Sequence, residues 1–143
     1  MATQKEMNES LLDTLKQWQV VEDQSVKSTK NIIAKTNNPI VKHIMEIIQQ
    51  DSAMHKRIQQ LIIDNFEKQA FSLTPEELGA VWDLVDKHIE LEKETLRLAE
   101  ESRKNSKNFL VRYLLGYLTT DEQKHNEILV QMEDIKSGIY PYA

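Results

Sequence analysis

Apolar residues recur three and four positions apart through four stretches of about 30 residues each, the period of an α-helix that buries one face. With only 3 Gly and 3 Pro in 143 residues, little material is left for the turns of a β fold. The expected class is therefore all-α, an antiparallel four-helix bundle. A chain of this length supports one domain with a proper core but not comfortably two, so residues 1–143 are read as a single domain.

The first helix is expected over residues 5–35, with a stripe of Leu11, Leu15, Trp18, Glu22, Ser25 or Val26, Ile32 and Ile33. Thr36-Asn37-Asn38-Pro39 breaks it, because proline biases Asn38 away from helical angles and suits the first turn of the next helix. That second helix runs over 39–66 on Val41, Ile44, Ile48, Asp51, His55, Ile58, Ile62 and Phe66. After the link at 68–74, Thr74-Pro75-Glu76-Glu77 supplies a capping hydroxyl, a first-turn proline and acids for a third helix reaching residue 103. Its stripe is Leu78, Val81, Val85, His88, Glu92, Leu96 and Ala99, and Gly79 weakens its first turn. The fourth helix, over 109–136, carries Leu110, Leu114, Leu118, Glu122, His125, Leu129 and Met132, with Tyr113 and Tyr117 expected in the core. Beyond Gly138, residues 139–143 are too few for a fifth helix.

Every stripe is interrupted near its middle by groups that do not suit a dry seam: Glu22, Asp51 with His55, His88 with Glu92, and Glu122 with His125. Singly, each has an ordinary explanation, a carboxylate at a solvated edge or a core histidine bonded to a neighbour. Together they fall at one height. Glu22 lies about 15 residues before the first break and His55 about 18 after it, so at about 1.5 Å per residue they come level in an antiparallel pair. Glu92 and Glu122 are balanced in the same way about the third link. A carboxylate held out of water is costly unless something positive meets it, and beside a histidine that is commonly a metal ion. A buried metal centre is expected, with ligands among Glu22, Asp51, His55, His88, Glu92, Glu122 and His125. Oxygen and imidazole donors without sulfur suit iron or manganese better than zinc. Two divalent ions would also balance the four negative charges of Glu22, Asp51, Glu92 and Glu122.

Other classes are disfavoured. No cysteine is present for a disulfide framework, an iron–sulfur cluster or thiolate zinc, which fits a reducing, cytoplasmic setting. Residues 1–10 lack the apolar run of a signal peptide, and no stretch approaches the length of a membrane span. A net charge of −5, with no local cluster of lysine and arginine expected to compensate, argues against nucleic acid as a partner.

Asp121-Glu122-Gln123-Lys124-His125 looks like the fourth-helix Glu-x-x-His of the ferritin-like di-iron carboxylate superfamily, and Glu90-Leu91-Glu92-Lys93-Glu94 like its third-helix glutamate segment. Over residues 9–135 the chain resembles this superfamily, nearest to bacterioferritins and rubrerythrin-like proteins. Glu22 falls where the family has its first-helix glutamate and His55 where it has its second-helix histidine. The family's glutamate three positions before that histidine falls on Ser52, leaving Asp51 or His88 to make up the set. The resemblance implies two iron ions, or manganese, with Glu22 and Glu92 as terminal ligands, Glu122 as the bridge and one metal each on His55 and His125. It further implies ferroxidase or peroxidase-type oxidation of Fe(II) by O2 or peroxide, with no catalytic residues beyond the ligands, an external reductant for peroxidase turnover, and a homodimer or larger homo-oligomer. The alternative is a degenerate ferritin-like bundle acting as a non-enzymatic regulatory or interaction module, with Ser52 marking lost activity. In the family a long crossover makes the second and third helices parallel. The link at 68–74 reaches about 25 Å against a helix of about 40 Å, so an up-down-up-down order remains open.

Overall fold

A computed structural model of the chain describes residues 1–138; the tail at 139–143, expected to hold no helix, lies outside them. The described residues form five α-helices and no strand: α1 (Gln4–Lys35), α2 (Pro39–Glu67), α3 (Pro75–Gly79), α4 (Trp82–Lys104) and α5 (Phe109–Lys136). The all-α class is as expected. Among the described residues no helix is long and apolar enough to cross a membrane. The helices make two compact units, Met1–Phe71 and Ser72–Ala143.

The helix boundaries follow from local chemistry. Thr3 and Glu6 form a reciprocal capping box at the start of α1. The Asn38 side chain accepts from the amides of Ile40 (2.9 Å) and Val41 (3.2 Å), with Pro39 in the first turn of α2. Thr74 and Glu77 repeat the capping box at α3, and Asn108 caps α5 through the Val111 amide at 3.1 Å. Gly138, at φ 74°, takes the left-handed conformation that ends α5. The third helix expected from 74 is split. It stops at Gly79 and resumes at Trp82, with Val81 at φ −117° and ψ 3° between them. Glycine is a poor interior helix residue, so the helix yields at that point.

In the first unit the three-residue link at 36–38 folds α2 back antiparallel on α1. The contact is made by Leu15, Glu22 and Thr29 of α1 and Ser52, Gln59 and Ile63 of α2, all buried. The expected α2 stripe is therefore one residue out of phase. Ile48, Ile58, Ile62 and Phe66 form a neighbouring face, and Ile58 is 49% exposed. Trp18, expected in the seam, is 51% exposed. Helical spacing defines how often apolar residues recur but not which of two adjacent stripes a given partner covers. Small and polar side chains fill the α1–α2 contact, and the bulkier apolar residues stand beside it.

The second unit pairs α4 with α5. Trp82, Val85, Ile89, Glu92, Leu96 and Ala99 form a half-buried stripe on α4, while Thr119 is buried on α5. Lys136 lies 4.8 Å over the Trp82 ring at one end of the pair. At the other, Arg112 Nη1 donates to the carbonyls of Arg103 (2.9 Å) and Ser106 (3.1 Å). α3 packs on both helices and buries Leu78. Leu84 and Leu91 stand on the next stripe of α4, 69% and 63% exposed. Tyr113 and Tyr117, expected in the core, are also exposed.

Gly116 sits inside α5, where an added Cβ meets nothing within 4 Å. Gly116→Ala should therefore raise stability by up to about 1 kcal/mol, measured as a higher midpoint in thermal circular-dichroism melts.

Candidate metal centre

In the second unit, Glu92 projects from the inner stripe of α4 toward Glu122 and His125, one turn apart on α5. One donor atom from each of the three lies within 4.8 Å of the others. Glu92 is the hub. Its Oε1 is 3.0 Å from His88 Nε2, and its Oε2 is 3.3 Å from His125 Nδ1. His125 is further held by Glu122 Oε2, 3.6 Å from Nδ1, and by Asp121 Oδ2, 3.4 Å from Nε2. The Glu92 and Glu122 side chains are 13% and 16% exposed, whereas His88 is exposed. His88, Glu92 and His125 line a cavity of about 240 Å³ with Ile128 and Leu129.

Two carboxyl groups this close cannot both ionise cheaply. The hydrogen bond from Glu122 holds the pKa of Glu92 below the ordinary carboxylate value, with His125 and His88 adding to the effect and burial opposing it. The same bond lifts the pKa of Glu122, and burial and the negative charge of Glu92 push it further in that direction. The two shifts oppose each other, so the pair resists carrying two negative charges side by side. A divalent cation between them would favour both ionised carboxylates. Donors on one ion at bond lengths of about 2.1 Å stand at most about 4.2 Å apart, so small side-chain rotations bring this set within coordination range.

The first unit carries a smaller set. Glu22 is buried, and its Oε1 lies 3.3 Å from His55 Nδ1, which reaches in from a mostly exposed ring. One turn further along, Ser25 Oγ and Ser52 Oγ are hydrogen-bonded at 2.8 Å. Beside the pair, Leu15, Trp18, His55, Ile58, Gln59 and Ile62 line an apolar cavity of about 230 Å³. Gln59 is buried, with neither its Nε2 nor its Oε1 bonded among the described residues.

Of the seven residues singled out in the sequence, the second unit brings together Glu92, Glu122, His125 and His88, and the first brings together Glu22 and His55. Asp51 joins neither set. It is exposed because the buried position falls on Ser52, one residue and about 100° further round the helix. Asp121 was passed over as a site residue, although its spacing of four from His125 signals the contact it makes. The Ser25–Ser52 bond was signalled only in part, by Ser25 falling in the α1 stripe, since serine is at home on any face of a helix. No family model, curated protein or solved structure matches the chain.

The raised pKa of Glu122 carries a sign for stability. Metal-free protein loses stability as pH climbs from the unfolded carboxylate value through the higher folded value of Glu122, where ionisation sets it against Glu92. Glu122→Gln keeps a donor for Glu92 without acquiring that charge. Without metal, the variant should melt above wild type at neutral pH and level with it in acid below the carboxylate range, as followed by thermal melts across pH.

Proposed function

We propose that the chain is a ferritin-like metal protein that binds Fe(II) and oxidises it with O2 or peroxide, using donors drawn from Glu22, His55, Glu92, Glu122 and His125, with His88 alongside. The observation that carries this is the convergence of Glu92, Glu122 and His125, whose donor atoms lie within 4.8 Å of one another. Hard oxygen and imidazole donors favour iron or manganese. A four-helix bundle is part of the proposal. Each hairpin buries one stripe of its helices and leaves a second apolar stripe, with Trp18, Ile58 and Ile62 on one and Leu84 and Leu91 on the other, as suits half of a bundle. Such faces also favour a homodimer or larger homo-oligomer. The absence of cysteine fits a reducing, cytoplasmic setting.

Iron is the substrate in this scheme. Each Fe(II) gives up one electron, and peroxide takes two electrons and two protons to leave as water. Glu92 and Glu122 would hold the cation as carboxylates, and their charge would favour Fe(III) over Fe(II). His125, oriented by Asp121 and Glu92, offers a ring nitrogen. With no cysteine available to hold an electron-transfer iron, a peroxidase cycle draws on an external reductant.

One observation favours the second reading, a ferritin-like bundle retained as a regulatory or interaction module. Ser52, at the position of the family's second-helix glutamate, is committed to Ser25 and supplies no carboxylate.

Anaerobic titration with Fe(II) followed by admission of air separates the two. Wild type should bind about two irons per chain and develop near-ultraviolet absorbance in air. Glu92→Ala should abolish the absorbance, and His88→Ala, which removes an orienting partner, should weaken binding on the order of ten- to a hundredfold. Iron bound no more tightly by wild type than by Glu92→Ala would leave only the module. In the same assay Ser52→Glu should tighten iron binding. Without metal it should cost roughly 3 kcal/mol in a chemical-denaturation series, as an unpaired buried charge.

A further inference from the structure

We infer that the turn between α4 and α5 carries a second binding site, for a nucleoside polyphosphate, that is independent of the metal centre. Arg103, Lys104, Lys107 and Arg112 gather at this turn in a chain whose net charge is −5. Elsewhere many cations are matched to acids, as Arg97 is to Glu94 (2.7 Å) and Glu101 (2.8 Å). Among the described residues none of these four has a carboxylate within ion-pairing distance. No acid stands in the first turn of α5 to repel an anion. The Arg112 guanidinium is already oriented, because Nη1 donates to the carbonyls of Arg103 and Ser106.

Two cavities share this pair of arginines. One, of about 350 Å³, is lined by Glu100, Arg103, Lys104 and Arg112; the other, of about 480 Å³, by Arg103, Arg112, Tyr113, Gly116, Tyr117 and Thr120. Both are shallow and open to solvent, so a ligand here would lie along the surface. The first offers the Arg103 guanidinium, the Nε and Nη2 edge of Arg112 and an ammonium to phosphate oxygens, against the single carboxylate of Glu100. The second offers tyrosine rings, 52% exposed at Tyr113 and 37% at Tyr117, and the absence of a side chain at Gly116 keeps it open. A flat base can stack on such a ring while its phosphates reach the arginines. Tyr113, Tyr117 and Thr120 project from a different side of α5 from Glu122 and His125, so the two sites do not compete. Four cations in an acidic chain suit a short run of phosphates better than a polymer backbone.

Calorimetric titration of ADP into the full chain at low salt, without added divalent metal, tests the inference, with circular dichroism confirming that each variant is folded. Arg112→Ala would loosen the turn, so Arg103→Ala and Tyr113→Ala carry the test; Arg103 serves Arg112 through its carbonyl alone. The expected result is saturable one-to-one binding, weakened roughly tenfold or more by Arg103→Ala and about fivefold or more by Tyr113→Ala, with inorganic pyrophosphate binding less tightly than ADP. Absence of saturable binding overturns the inference. So does pyrophosphate binding as tightly as ADP with Tyr113→Ala unaffected, which marks a phosphate site only, or a single-stranded oligonucleotide binding more tightly than ADP, which marks a nucleic-acid surface.

Discussion

Two helices packed side by side can cover one stripe of each, and whatever occupies the next stripe round must be covered by something else or left wet. In the first unit the stripe spent on the hairpin contact is rich in small and polar residues, with Thr29, Ser52 and Gln59 buried beside Leu15 and Ile63. In the second, Thr119 of α5 is buried while Trp82, Val85, Ile89 and Leu96 of α4 are half-buried. The larger apolar side chains, Trp18, Ile58 and Ile62 or Leu84 and Leu91, stand on the adjoining stripe. Burying an aliphatic or aromatic side chain contributes about 1.5–3 kcal/mol, so most of the hydrophobic stabilisation available to this chain lies outside the two hairpin contacts. That imbalance gives the proposed bundle its physical reason.

The polar groups sit on the border between the two stripes. Glu22 and Glu92 are each buried or nearly so by their own hairpin, yet each is met by a histidine from the open side, His55 in one case and His88 in the other. A carboxylate with a partly wet imidazole beside it avoids the full cost of burial and keeps a donor atom within reach of an arriving cation. In the second unit the arrangement is tighter, because Glu92 faces a second carboxyl group, Glu122, as well as His88 and His125. Glu22 and His55 make a simpler contact at 3.3 Å.

Much of this was legible in the sequence because it depends on spacing. Helix ends at Asn38, Thr74 and Asn108 follow from capping residues and proline. The three-residue step from Glu122 to His125 required that both face the same way, and the balance of Glu92 and Glu122 about the third link brought the opposite helix into reach. Phase was not legible. The α2 pattern reads equally well through Asp51, His55 and Ile58 or through Ser52, Gln59 and Ile63, and only the closeness of α1 selects the second, so Asp51 was chosen where Ser52 is buried. The interruption at Ala80 and Val81 was signalled by Gly79 but too weakly to divide a helix on paper. The expectation of no local cationic cluster fails at the turn after α4, where Arg103, Lys104 and Lys107 fall within five positions and the hairpin brings Arg112 to the same cavity as Arg103 and Lys104.

The link at 36–38 has a consequence for how the molecule assembles. With a turn so short, the contacts of α1 with α2 lie within a single hairpin, nearest in sequence beside the turn, and Asn38 with Pro39 sets the reversal there. The same holds at 105–108 for α4 and α5. Contacts between near neighbours in sequence require little loop-closure entropy, and chains built from them fold in microseconds to milliseconds rather than seconds. Each hairpin can therefore form from its own residues, with its outer apolar stripe left facing whatever surface it meets.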